Sequence, residues 1–222
     1  MSAETWQIVF FTIKVSLLGT LLILPLGVAV AWLLALREWK GKALLETAVM
    51  LPLFVPPVAT GLILLMLFGR NGAFGSALDR IGIDVVFTWR AVVLASAVMA
   101  FPLLVRTAQA AFQEVNPRFA DIARTLGASE WRVFATISLP LAFRGVVVGA
   151  VLAFARAMGE FGATAIVAGM IPGKTMTISL AIYQNIQLGQ DAAALPLLLI
   201  SIAIVFLTVL CGQMLLPRKG RR

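Results

Sequence analysis

Five long apolar runs, over residues 8–36, 44–68, 91–111, 141–168 and 192–216, constrain this chain more than any other feature. A bilayer core of about 30 Å needs about 20 apolar residues per helix, and each run meets that length. Lipid offers no water to satisfy backbone N–H and C=O groups, so runs of this kind are predicted to be helices. A soluble fold is excluded by the residue balance: 61% hydrophobic, 13% charged and a mean hydropathy of +1.00. The expectation is an all-α membrane protein of five transmembrane helices, a single transmembrane domain over residues 1–222.

Five spans place the termini on opposite sides, and Lys and Arg mark the cytoplasmic side. Arg37, Lys40 and Lys42 follow the first run; Arg118, Arg124 and Arg132 follow the third, flanked by Arg106 and Arg144; Arg218, Lys219, Arg221 and Arg222 follow the fifth. The other side has only Arg70, Arg80, Arg90 and Lys174. The N-terminus is therefore expected outside and the C-terminus inside. A net charge of +8 distributed in clusters at the ends of apolar runs is a topology pattern and not a nucleic-acid surface. With no histidine and one cysteine, Cys211, inside an apolar run, disulfide frameworks, thiol metal sites and histidine chemistry are absent from expectation. No cleavable leader is expected, because the first run is too long and follows Glu4 instead of a basic stretch.

Proline and charge divide the runs further. The first contains Lys14, Gly19, Pro25 and Gly27 and is predicted to span with a kink near Pro25. The second contains Pro52, Pro56 and Pro57. It is either an ordinary kinked helix or a discontinuous one restarting near Val58, with backbone amides free to meet an anion. Pro56 and Pro57 are thus pathway candidates. The stretch 69–89 is predicted to be a loop with a short helix. In the fourth run Arg156 and Glu160 are four residues apart and share one helical face. Each would cost about 2.5–3.5 kcal/mol facing lipid, so the pair either holds the bundle together or lines the route, with Gly159 and Gly162 permitting close helix contact. The run 168–175, AGMIPGKT, fits a relaxed phosphate-binding loop, but it follows a membrane helix instead of a strand, so nucleotide binding is rejected.

The longest polar interval, 116–140, is predicted to be two short helices joined by a turn. Asn116 caps the first, Pro117 takes its first position and Gly127 lies just past its end. Phe119, Ile122, Ala123 and Leu126 recur at helical spacing along one face. Ser129 caps a second helix through Trp131, Val133 and Phe134, and Pro140 marks the entry to the fourth span. Such a loop either covers the inner mouth of its own bundle or docks a soluble partner.

The run Asp121 to Gly127, then nine residues, then Ile137-Ser138-Leu139-Pro140, resembles the EAA loop of ABC importer permeases, whose pattern is E-A-A, three residues, G, nine residues, I-x-L-P. Ala123, Gly127, Ile137, Leu139 and Pro140 fit; Asp121 replaces the glutamate with its charge kept, and Ile122 replaces the first alanine. The resemblance implies a coupling helix seated in a groove of an ATP-hydrolysing subunit. Beyond the loop, KALLETAVMLPLFVPPVATG (42–61), RTLGASEWRVFATISLP (124–140) and AFARAMGEFGAT (153–164) resemble the molybdate permease subunits of these importers. Sulfate and thiosulfate permeases share A-R-x-x-G-E-F-G-A and are usually longer. The resemblance implies a type I importer permease fold in the inner membrane, a homodimer, two cytoplasmic ATPase subunits using ATP and magnesium, an extracytoplasmic oxyanion-binding protein, and no cofactor on this chain. A channel or secondary transporter would not require a docking loop, and a membrane enzyme lacks paired carboxylates or an activated nucleophile.

Overall fold

The computed structural model describes residues 3–36 and 39–214, all of whose regular elements are helical. Four helical stretches are long and apolar enough to cross a membrane, and a sharply bent pair supplies a fifth when counted as one span. Helix α1 (Ala3–Ala35) runs unbroken through Pro25 for 33 residues. Helix α5 (Trp89–Gln113) is the centre of the bundle, since its small residues Ala95, Ala97, Ala100 and Ala108 are fully buried and let neighbours approach. Helix α1 lies beside it in the same direction, Gly19 facing Val93 and Ala97 and Gly27 facing Leu104. Helix α8 (Leu139–Met158) runs the opposite way, with Gly145 on Ala111 and Gly149 on Leu104 and Thr107. Helix α11 (Asp191–Met214) covers α8, bringing Gly212 against Val151. The connection 116–140 therefore lies at the same end of the bundle as the C-terminal end of α1.

The second apolar run is discontinuous. Helix α2 (Lys42–Phe54) ends, Val55 and Pro56 are extended at ψ 136° and 131°, and α3 (Pro57–Phe68) restarts with Pro57 in its first turn. Pro56 and Pro57 each hold the residue before them out of helical geometry, unlike Pro52, which α2 accommodates, and Pro57 itself needs no amide at a helix start. The two axes differ by 108°, far beyond a proline kink, and the restart falls one residue before the expected Val58.

The fourth run is a correction, because 141–168 is not one helix. Helix α8 stops at Met158, Gly159 to Phe161 form a break with Phe161 at φ −131°, ψ −59°, and α9 (Gly162–Val167) restarts. A further helix, α10 (Ile178–Gln187), occupies what the sequence offered only as a connection. Short α4 (Gly75–Asp79) appears in the 69–89 loop as expected. In the run 168–175 the buried Thr175 hydroxyl donates to the Gly169 carbonyl and accepts from the Ile171 amide, both at 3.0 Å, closing a tight loop after a helix. Residues 215–216 of the fifth run, Arg37 and the tail cations Arg218, Lys219, Arg221 and Arg222 lie outside the described residues.

Candidate functional site

The loop at the α5–α8 end is built as two capped helices. In α6 (Pro117–Thr125) the Asn116 side chain accepts from the Arg118 amide at 3.0 Å. At its other end the Ala128 amide donates to the Ala123 carbonyl and the Gly127 amide to the Arg124 carbonyl, both at 3.0 Å. This is the Schellman arrangement, which requires a left-handed residue after the helix, and Gly127 has φ +84°. Ser129 then caps α7 (Glu130–Val133), accepting from the Arg132 amide at 3.4 Å. The helix does not end before the membrane, as Pro140 had implied. It passes through a π-helical turn, Phe134–Ser138, directly into α8, and Pro140 sits at that junction, where the wider turn accommodates the rung its missing N–H removes. From Glu130 to Met158 this rod is about 43 Å long, so its first turns project beyond a core of about 30 Å.

Arg124 clamps the turn from both sides. Its Nε and Nη2 donate to the two Glu130 carboxylate oxygens at 2.7 and 3.1 Å, and Nη1 donates to Asp121 Oδ1 at 2.9 Å. Hydrogen bonding to Glu130 raises the Arg124 pKa, and the same bond holds the Glu130 carboxyl below its ordinary range. A depressed carboxyl pKa stabilises the fold above the unfolded value, so the clamp persists at neutral pH and is lost as pH falls through the lowered value. Because the pair is exposed it contributes at most about 1 kcal/mol, and its main effect is to fix the angle of the turn.

No residue of α6 is buried. Phe119, Ile122, Leu126 (83% exposed) and, from α7, Trp131 (71%) form an apolar face that stays largely exposed even where Trp131 meets the core ring of Phe134, so the loop does not bury this face against its own bundle. The attachment is made elsewhere. Buried Phe134 packs its ring against Trp32, Phe112 and Trp131 at centroid distances of 4.8, 6.2 and 5.3 Å, joining the loop to α1 and α5. Of the motif positions, Asp121 engages Arg124, Ala123 and Gly127 close the turn, Ile137 lies in the π turn, and Leu139 and Pro140 open α8.

The second assembly lies where the two broken helices cross. Glu160, with a side chain 2% exposed, accepts from Arg156 Nη1 through Oε2 at 2.8 Å and from the Ala163 amide through Oε1 at 2.9 Å. One carboxylate thus neutralises the arginine at the end of α8 and satisfies a free amide at the start of α9. A Cβ on Gly162 would lie 2.7 Å from Pro57 Cβ and 3.4 Å from the Val58 amide nitrogen; one on Gly61 would lie 2.7 Å from the Ala163 carbonyl oxygen. Pro57, Arg156, Glu160 and Gly162 are therefore brought to one place, with Pro56 and Gly159 at the adjoining breaks.

Two expectations fail at this crossing. Gly159 makes no close helix contact, since a Cβ there would meet only the Arg156 carbonyl at 3.9 Å; its place is the cap of α8. Nor do the amides at the start of α3 face an open anion cradle. Those of Ala59 and Thr60 already donate to the Pro56 carbonyl at 2.9 and 3.1 Å, and α9 lies over Val58. Gly61→Ala is expected to destabilise the chain by about 1–3 kcal/mol, because the added carbon meets backbone that cannot step aside. An unchanged thermal midpoint for this variant would show that the crossing is loose.

Sequence reasoning passed over one further junction. Buried Gln109 donates through Nε2 to Glu46 Oε1 at 2.8 Å and to the Leu34 carbonyl at 3.4 Å, tying the start of α2 to α5 and α1. Arg106, expected only as a topology anchor, reaches Gln109 Oε1 at 3.5 Å. Sixty-three residues separate Gln109 from Glu46, and no local pattern marks either.

The family of binding-protein-dependent transport system inner membrane components matches residues 23–221. The molybdenum transport system permease protein ModB of Escherichia coli (strain K12) is 48% identical over 212 residues, covering 95% of this chain and 93% of that protein. ModB of Haemophilus influenzae is 42% identical, again over 95% of this chain. The sulfate transport system permease protein CysT of Escherichia coli is 35% identical over 88% of this chain and 71% of its own length. Among solved structures, the inward-facing MetNI methionine ABC transporter superposes with a TM-score of 0.74 at 17% identity, covering 96% of this chain and 97% of that one. A bacterial alginate ABC transporter in complex with its periplasmic protein gives 0.73 at 19% identity, covering 96% and 78%. The fold with its broken helices is that of type I ABC importer permeases, and by a match extending over nearly all its length the chain belongs to the family of binding-protein-dependent transport inner-membrane permeases.

Proposed function

We propose that the chain is the membrane-spanning subunit of an ATP-driven importer of molybdate, with tungstate as a close analogue. The observation carrying this reading is the 48% identity to a molybdenum permease over almost the whole of both chains, against 35% to a sulfate permease that is matched over only 71% of its length. Two copies form the pathway, with the loop 116–140 in the cytoplasm and the N-terminus outside, in line with the Lys and Arg distribution. The apolar face of Phe119, Ile122, Leu126 and Trp131 is the seat for a cytoplasmic ABC ATPase, one per copy. An extracytoplasmic binding protein delivers the oxyanion. ATP and magnesium belong to the ATPase; the permease catalyses no reaction.

Energy enters through the loop. Closure of the two ATPase subunits draws the loops together, and the rod from Glu130 to Met158 transmits that displacement to the crossing of α8–α9 with α3. The motor does not need to touch the cargo; it needs only to favour one pathway conformation over the other, a linkage effect. The Arg156–Glu160 pair fixes where α9 begins and is neutral as a unit, so it acts as a hinge element and not as an oxyanion ligand.

The test is uptake into proteoliposomes containing the permease, its ATPase and its binding protein, with molybdate, tungstate and sulfate supplied in parallel. Molybdate and tungstate are expected to stimulate ATP hydrolysis and to accumulate, sulfate to do neither. Preference for sulfate would transfer the chain to the sulfate branch, and uptake by the polypeptide alone without ATP would overturn the importer reading.

A further inference from the structure

The end of the bundle away from the coupling loop holds a charged feature that transport coupling does not use. Between α1, the start of α5 and the loop after α9 lies a cleft of about 480 Å³, walled by Phe11, Phe87 and Trp89 and carrying three cations, Lys14, Arg90 and Lys174. No carboxylate is among the described residues lining it. The nearby Asp84 carboxylate is turned to Arg70, at 3.7 Å. Lys14 and Lys174 have no side-chain hydrogen bond or ion pair among the described residues.

The cleft is preformed. Arg90 donates through Nη1 to the Asp84 carbonyl at 2.9 Å and lies 5.5 Å from the Trp89 ring centroid, which leaves its remaining N–H groups available. Lys174 stands on the loop that Thr175 ties to Gly169 and Ile171. Phe87 has φ +58°, an unfavourable backbone for a bulky residue, and is held there by its amide donating to the Val167 carbonyl at 3.1 Å.

Depth identifies the chemistry. From Lys14 to Ala35, α1 rises about 32 Å, which matches a hydrocarbon core of about 30 Å, so Lys14 lies at its edge. Trp89 and Arg90 open the parallel helix α5 beside it, an aromatic and a cation at the headgroup level. A lysine at this edge with no carboxylate partner is satisfied by water or by an anion, and lipid phosphates are the resident anions at headgroup depth, whereas the cargo oxyanion only passes. The aromatic wall and the volume suit a group with an apolar part better than a small free oxyanion.

We propose that this cleft is an oxyanion site formed by Lys14, Arg90 and Lys174, occupied by the phosphodiester of an anionic membrane lipid. The assignment is independent of the cargo. Its test uses the permease assembled with its ATPase in nanodiscs of phosphatidylcholine with a minor share of phosphatidylglycerol, followed by extraction and quantification of retained lipid. The wild-type complex is expected to retain phosphatidylglycerol in excess of its bulk share. Lys14→Gln with Lys174→Gln is expected to lower that excess about tenfold, and the Lys→Arg pair to restore it. In a second arm inorganic phosphate is titrated onto the delipidated complex; lysine-dependent phosphate binding without lipid enrichment would keep the site and replace the lipid by a free oxyanion. Wild-type and Gln-substituted complexes that are indistinguishable in both arms would overturn the site.

Discussion

Glu160→Ala is expected to lower the stability of the permease by about 3–5 kcal/mol, because it strands a mostly buried arginine and a helix-start amide together. Thermal unfolding of the purified complex reads this loss. Glu160→Gln separates the two roles, since an amide oxygen still accepts from Ala163 while the charge on Arg156 goes unanswered. Its stability cost is smaller, about 1.5–3 kcal/mol, and it leaves a complex in which coupling can be measured. Uptake per ATP hydrolysed is expected to fall about tenfold in this variant, the size of an ordinary coupling free energy. Normal uptake by a stable Glu160→Gln complex would remove the pair from the transport mechanism and leave it as bundle structure only.

Gly127→Val tests the other end of the same rod. A side chain at Gly127 meets nothing within 4 Å, so the penalty is not steric crowding by neighbours. It comes from the backbone: φ +84° costs an L-residue about 1–2 kcal/mol, with a β-branched residue at the upper end. The turn is expected to relax toward an ordinary helical end, swinging the apolar face of Phe119, Ile122 and Leu126 away from Trp131. ATPase affinity should drop about tenfold, since 1.4 kcal/mol corresponds to that factor, while the spans remain inserted. Gly127→Asn, which tolerates the left-handed region, should recover most of the binding. Pull-down of the ATPase by each variant checks this, and full assembly with Gly127→Val would show that the turn does not aim the docking face.

Where structure was legible in advance, its causes were local. The loop 116–140 could be drawn because Asn116, Pro117, Gly127 and Ser129 each act on a backbone group within a few residues, and their hydrogen bonds are those the pattern demands. The break at Pro56 and Pro57 was one of two open readings for the same reason. The break at Gly159 to Phe161 carried no such signal, since no proline marks it and glycines are common in membrane helices. It exists because α3 crosses there and Glu160 replaces the lost helical hydrogen bond, facts that arise only when distant segments meet. Helix α10 was missed because ten residues are too few for a span, although Thr177 is the capping residue that could have announced it.

The π turn at Phe134–Ser138 sets a phase. Each residue of an α-helix advances the azimuth by about 100°, so one extra residue wound into a turn rotates everything after it by about that angle. The helix that carries Arg156 follows this offset without interruption. Ile137, a fixed position of the loop's pattern, lies inside this turn, and Leu139 and Pro140 follow it directly, so the pattern spans the joint between loop and membrane. Rewinding that one turn from π to α would change the angle at which α8 leaves the loop.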